Sequence, residues 1–127
     1  MRKILLDSNF LVLPFQFNVE LFDEFDRLLG GSYEVYTLER TYNEALSLED
    51  GKYKELVAKL VDVKNIEKIE TEAKVPVDRQ VIEFGQKGFI VCTNDKEIKK
   101  ELDLENLPFI YLRQKNHLEV KNLRKVG

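Results

Sequence analysis

The sequence predicts a three-layer α/β/α fold built on a mostly parallel central sheet. Two observations carry that reading. Segments of strand length alternate along the chain with segments of helical periodicity. The strand segments are also continuous apolar runs rather than apolar–polar alternations. Strands of that kind are buried on both faces, which requires helices above and below the sheet. At 127 residues the chain reads as a single domain, 1–127, large enough to hold a core without disulfides or a structural metal.

Lys3 to Leu6 reads as a short buried strand. Val19 to Leu29 places apolar residues at positions 21, 22, 25, 28 and 29, the spacing of an amphipathic helix, and Gly30-Gly31 terminates it. Between the two, LPFQFN reads as a proline-marked loop. Tyr33 to Tyr36 has the β-propensity of a second strand. Thr37 to Leu48 turns helical, with Leu38, Thr41, Tyr42, Ala45 and Leu46 inward, and Lys52 to Val63 forms another helix closed at Asn65. Pro76 marks the next helix start, since proline suits the first helical position, and that helix runs to Gln86 with Gly88 beyond it. Phe89 to Cys92 is an apolar run of strand length. Thr93-Asn94-Asp95 caps a helix through Leu102, and Pro108 to Leu112 is a last strand.

Composition narrows the function classes. A net charge of −3 argues against a protein that simply coats nucleic acid, but the charge is unevenly placed. From Tyr111 onward five basic residues (Arg113, Lys115, Lys121, Arg124 and Lys125) face one acid, Glu119. A short basic C-terminal tail from about 113 follows, with Arg113 and Lys115 as candidate phosphate contacts. The lone Cys92 excludes an internal disulfide framework and suits a reducing cytoplasm. No apolar run approaches the roughly 18 residues of a membrane span, and only Ile4 to Leu6 stand between the basic start and Asp7, too few for a signal sequence. A cytoplasmic protein without a membrane partner is expected.

The chemistry-bearing residues are carboxylates. Asp7 follows the apolar run Ile4–Leu6 directly, with no evident helix start or polar run around it. An ionised group at the edge of a core costs several kcal/mol unless something compensates it. Asp95 follows Cys92 by three residues, so two strands each deliver a carboxylate to the rim where open α/β sheets bind ligands. Glu44 lies inside a middle helix and Asp78 in the first turn of a later one. Singly, Asp95 and Asp78 read as helix-terminal acids worth ~0.3–1 kcal/mol, and Glu44 as a solvent-facing residue. Together they pose a problem, because like charges ~4 Å apart repel by about 4 kcal/mol at an effective dielectric of 20. Retained protons or a divalent cation would relieve it, and an all-oxygen set favours Mg²⁺ or Mn²⁺. Cys92 in a strand and the single His117, read as a surface residue, form no zinc site. The phenylalanines Phe10, Phe15, Phe17, Phe22 and Phe25 read as packing.

The run LLDSN, the helix RTYNEAL, then VDRQVIEFG and IVCTNDKEI together resemble the PIN-domain ribonucleases over most of the chain. The ending PFIYLRQKNHLEV is similar to an archaeal branch related to the small-subunit processome, rRNA-processing nucleases, more than to the VapC toxins. That resemblance implies a PIN-like α/β domain and a divalent-metal-dependent endoribonuclease hydrolysing RNA phosphodiester bonds. Carried over by position, Asp7, Glu44, Asp78 and Asp95 are the catalytic and metal-binding acids, Asn9 and Thr93 orient them, and Mg²⁺ or Mn²⁺ is the cofactor. Ser8 stands where the family often has threonine. Arg79 follows Asp78 where the branch often has a second acid, and we place the essential carboxylate at Asp78. Glu39 competes with Glu44, but five residues apart on a helix they point some 140° apart; Thr41, Ala45 and Leu48 flank Glu44. The implied partners are RNA, a precursor of ribosomal RNA, and a second copy in a homodimer. The alternatives are a VapC-type toxin with an antitoxin partner and a PIN-like scaffold that binds without cleaving. A haloacid-dehalogenase phosphatase would need a second aspartate where Asn9 stands, and a receiver domain would need its acid pair elsewhere than Glu49-Asp50.

Overall fold

The computed structural model of the chain describes residues 1–123. Six strands form one sheet, β1 (Arg2–Leu6), β2 (Tyr33–Leu38), β3 (Glu67–Ile69), β4 (Ile90–Cys92), β5 (Phe109–Arg113) and β6 (His117–Lys121). Their spatial order is β3-β2-β1-β4-β5-β6, with every pair parallel except β5–β6. Six α-helices connect them: α1 (Ser8–Phe17), α2 (Leu21–Leu29), α3 (Glu39–Ser47), α4 (Lys54–Val63), α5 (Val77–Gln86) and α6 (Lys96–Leu104).

The alternating faces of the strands build two cores. Ile4, Leu6, Val35, Ile90, Cys92 and Ile110 pack with Phe10 and Leu11 of α1, Phe25 of α2 and Val57 and Val61 of α4. Leu5, Leu38, Val91 and Phe109 face the other way, onto Val81 and Ile82 of α5 and Ile98 and Leu102 of α6. The sheet is thus covered on both faces, as its apolar runs require. The chain builds β2 and β3 on one side of β1, then crosses to place β4 on the other. The switch in strand order therefore lies between β1 and β4.

Three elements depart from the sequence reading. The segment LPFQFN is not a loop: it is the last part of α1, which begins immediately after β1. This helix escapes a periodicity argument because it is apolar nearly all round, with Phe10, Leu11, Val12 and Leu13 fully buried. Pro14 sits within it, forgoing one backbone bond, and Asn18 at φ 56° closes it in the left-handed conformation. Phe15 belongs to the same helix and stacks on Tyr53, ring centroids 6.3 Å apart. The other two departures are the strands β3 and β6, neither of which the apolar runs indicate. The stretch expected as a basic tail from about 113 is, through Lys121, the turn and second arm of a hairpin; Arg124 and Lys125 lie outside the described residues. The turn places Gln114 and Lys115 at positive φ, where asparagine and glycine are the usual signal. The outer edge of β6 is satisfied by α2: Leu118 N–H donates to Glu24 at 2.8 Å, and Arg27 donates to the Leu118 carbonyl at 2.6 Å.

On the α5–α6 face the two helices meet through Gly85. A Cβ there would stand 2.8 Å from Leu102 Cδ2 and 3.4 Å from Val91 Cγ2, both in buried side chains. Overpacking of that kind costs about 1–3 kcal/mol, against a helical gain of about 1 kcal/mol for alanine over glycine. Gly85→Ala is therefore expected to lower the urea midpoint at unchanged m-value; a midpoint equal to or above wild type would contradict the close approach.

Candidate active site

The candidate site lies at the carboxyl ends of β1 and β4, at the switch in strand order, where open α/β sheets bind ligands. The register pairs Leu6 with Cys92, and Asp7 N–H donates to the Cys92 carbonyl at 3.0 Å. That bond carries the ladder one residue past the strand and sets Asp7 beside Thr93. Asp7 answers its own cost by capping α1: its side chain accepts from Ser8 N–H at 2.9 Å. The helix start hidden in LLDSN is the compensation that no local pattern displayed. The other carboxylate oxygen accepts from the buried Thr93 hydroxyl at 2.8 Å.

The remaining groups arrive from three elements. Ser8 donates its hydroxyl to Glu44 of α3 at 2.5 Å, so the residue next to Asp7 ties the helix glutamate to the strand end. Asp95 caps α6, accepting from Glu97 and Ile98 N–H at 2.9 and 3.0 Å through one oxygen, while its own N–H donates to Thr93 Oγ1 at 3.1 Å. Asn94 accepts from Leu112 N–H at 2.9 Å and so holds the β4–α6 connection against β5. Thr93 thus touches both Asp7 and the backbone of Asp95.

Burial is the largest influence on Asp7 and pushes its carboxyl above the ordinary value of 3.8; the Thr93 and Ser8 bonds pull it down, and the charges of Glu44 and Asp95 push it up again. Acids, and no cation, are thus the charged neighbours that shift it. Burial, and after it the same carboxylate, raises the thiol of Cys92 in the strand well above its ordinary value.

Of the residues expected from sequence, the structure brings Asp7, Glu44, Thr93 and Asp95 together. Asp78 does not join them in contact. It is exposed in the first turn of α5, where one oxygen accepts from Arg79 N–H at 2.9 Å. Arg79 turns away, pairing with Glu101 of α6 at 2.8 Å, and puts no cation into the acid group. The turn bearing Asp78 is held at the carboxyl end of β2 by a polar knot. Arg40 of α3 donates to the Val75 carbonyl and to Gln80 Oε1, the latter at 3.1 Å, and Thr71 donates to the same oxygen at 2.8 Å. Asn9 is exposed on the first turn of α1. Ser8 is the linking residue that sequence reasoning passed over; its only signal is its place between the aspartate and asparagine of LLDSN. Glu39 opens α3, one turn or more before the residue that Ser8 reaches. Arg113 is engaged by Glu119 at 3.1 Å, and Lys115 lies exposed in the hairpin turn.

The donor set suits a hard divalent cation in kind, being all carboxylate oxygen around a buried acid that no cation neutralises. As the side chains stand, no three Asp, Glu, His or Cys groups among the described residues enclose a common point.

With this geometry in view, comparison with known proteins defines the class. Residues 4–115 match the family model described as a PIN like domain, and the chain belongs to that family. It is similar to Ribonuclease VapC4 of Methanocaldococcus jannaschii, 31% identical over 128 residues that cover 94% of this chain and 97% of the relative. It also superimposes on the PIN domain endonuclease Utp24 with a TM-score of 0.76, covering 98% of this chain and 95% of that one. At 18% identity the second likeness shows the fold.

Asp7 provides a test in the metal-free protein. Its carboxyl is raised in the folded state, so the stability linked to its proton is fully present below the unfolded value near 3.8 and is lost as pH rises through the folded value. Asp7→Asn, which keeps the shape without the charge, is expected to melt above wild type at pH 7 in chelator. The difference should vanish toward pH 3. A variant that melts below wild type at pH 7 would show that the charge is compensated.

Proposed function

We propose that this protein is a divalent-metal-dependent endoribonuclease that hydrolyses RNA phosphodiester bonds. The observation that carries the reading is the acid group at the β1–β4 switch, where Asp7, Glu44 through Ser8, and Asp95 converge without a neutralising side chain. Similarity to a named ribonuclease, 31% identical and spanning 94% of this chain, supports RNA as the substrate class.

In this reading Asp7, Glu44 and Asp95 hold Mg²⁺ or Mn²⁺, with Asp78 completing the set from α5. Bound there, such an ion supplies hydroxide near neutral pH and positive charge against the phosphate. The chain's own residues provide the orientation. Thr93 and Ser8 fix both oxygens of Asp7 by donating to them, and the α6 N-terminus fixes one oxygen of Asp95, leaving the other for binding. Ser8 spends its only proton on Glu44, so it presents no free donor to substrate. The site contains no histidine, and the carboxylates are its only side-chain bases.

The substrate we propose is a ribosomal RNA precursor, on the similarity of the C-terminal hairpin sequence to the rRNA-processing branch. A homodimer in the cytoplasm belongs to the same reading. A toxin of the VapC type with an antitoxin partner is the second reading, favoured by the 31% identity to Ribonuclease VapC4. Growth arrest on induced expression, relieved by Asp7→Asn, would select the toxin.

The direct experiment is cleavage of a structured ribosomal RNA fragment with Mn²⁺ or Mg²⁺, with chelator, and with Asp95→Asn. Asparagine caps a helix as well as aspartate, so this variant is expected to fold normally and lose cleavage. Cutting that persists in chelator or in Asp95→Asn would overturn the reading. Removing the Thr93 hydroxyl, in Thr93→Val, leaves Asp7 short of a donor and is expected to lower activity about 10–100-fold, the usual effect of losing a partner of a metal ligand. Asp78→Asn measures whether the α5 acid belongs to the set: Mn²⁺ affinity and cleavage should both fall.

A further inference from the structure

The groove between α6 and the β5–β6 hairpin is unexplained by the acid site. Its volume is about 370 Å³, and Lys96, Lys99, Lys100, Phe109, Tyr111 and Lys121 line it together with Asp103. The spacing explains the arrangement. Positions 96, 99, 100 and 103 fall on one face of α6. Phe109 and Tyr111 point to one side of β5, and the register sets Lys121 opposite Phe109 on the same side. The hairpin extends past the helix layer here, so this strip of sheet keeps a half-buried Tyr111 and an exposed Lys121.

Charge is concentrated in the groove, although the whole chain is acidic. Lys96, Lys99 and Lys100 form no ion pair among the described residues. Three acids around it are already engaged: Asp103 accepts from Lys121 and Asn122, both at 2.9 Å, Glu101 pairs with Arg79, and Glu119 pairs with Arg113. The Lys99 ammonium lies 5.3 Å from the centroid of the Tyr111 ring, so an aromatic face and a movable cation occur side by side. Lys96 directly follows Asp95, so the first residue lining the groove adjoins the acid site in the chain, and the groove runs from there along the helix for about 10 Å.

We propose that this groove binds the single-stranded arm of the RNA that leads out of the acid site. The lysines contact successive phosphates, and one base stacks on Tyr111, displacing Lys99 onto a neighbouring phosphate. Single-strand recognition follows from the pairing of a cationic track with a half-buried aromatic, since bases in a duplex have no free face. This inference rests on the endoribonuclease reading and adds to it where the substrate runs.

The test is binding of a labelled single-stranded RNA oligonucleotide to the full chain in chelator, across 0.05–0.3 M salt, with melting curves recorded for every variant. Each phosphate contact contributes about 0.7 to the salt slope on single strands. The double variant Lys99→Gln/Lys100→Gln is expected to flatten the slope by about 1.4 and weaken binding roughly 25-fold at 0.1 M salt. Tyr111→Leu should weaken binding about five- to hundred-fold without changing the slope, because stacking carries no charge. Lys54→Gln/Lys59→Gln, on α4 across the sheet, should bind as wild type does. If wild type binds and the groove variants bind equally with the same slope, the groove is overturned and the nuclease reading stands. Wild type that cleaves RNA yet shows no binding in chelator also overturns the groove alone. Wild type that neither binds nor cleaves overturns both.

Discussion

The structure depends on one strand register. Pairing Leu6 with Cys92 and extending the ladder through the Asp7 amide puts a carboxylate at the end of a strand whose last three residues are buried, beside Thr93. A slip of one residue would turn Asp7 into the opposite core and Leu6 out of its own, which the two-sided burial of β1 forbids. Everything at the site follows from that placement. Asp7 caps α1, so the helix starts there. The cap puts Ser8 at the rim, and Ser8 reaches Glu44. Thr93, brought alongside by the same register, bonds Asp7 and the backbone of Asp95.

These contacts orient the acids without neutralising them. Two donors hold Asp7, the Ser8 amide and the Thr93 hydroxyl, yet its charged surroundings remain carboxylates. A structural aspartate at a strand end would ordinarily find an arginine or lysine. Here three guanidinium groups are directed elsewhere: Arg79 to Glu101, Arg113 to Glu119, and Arg40 to the polar knot around Gln80. An acid group that is rigid in backbone and short of positive charge is suited to take a cation from solution, and that is the physical basis of the nuclease reading.

The same economy of charge shapes the surface. An acidic chain cannot attract a polyanion everywhere, so its attraction has to be local. The lysines of α6 and Lys121 of the hairpin gather positive charge in one groove, while Asp103, Glu101 and Glu119 beside it are already paired. The antiparallel β6 is what makes this surface, because it adds sheet beyond the reach of α6, and α2 seals its outer edge through Glu24 and Arg27.

The α/β class and most of its helices are written in the sequence, because amphipathic helices such as Leu21–Leu29 and apolar strands such as Ile90–Cys92 carry their burial in their own periodicity. The acids Asp7, Glu44 and Asp95 were also legible, as residues whose positions after strands and within a helix suggest one rim. Helix α1 was not, since a helix apolar nearly all round has no broad polar face to mark its period, and Pro14 mimics a loop. Strands β3 and β6 were not, since their pairing comes from neighbours and the hairpin turn lacks its usual residues. Only the tertiary structure decided that Ser8 joins Asp7 to Glu44, that Asp78 stands apart from them, and that Arg113 pairs with Glu119 while Lys96, Lys99 and Lys100 form no ion pair among the described residues. Those are distances between elements far apart in the chain, and local spacing carries no information about them.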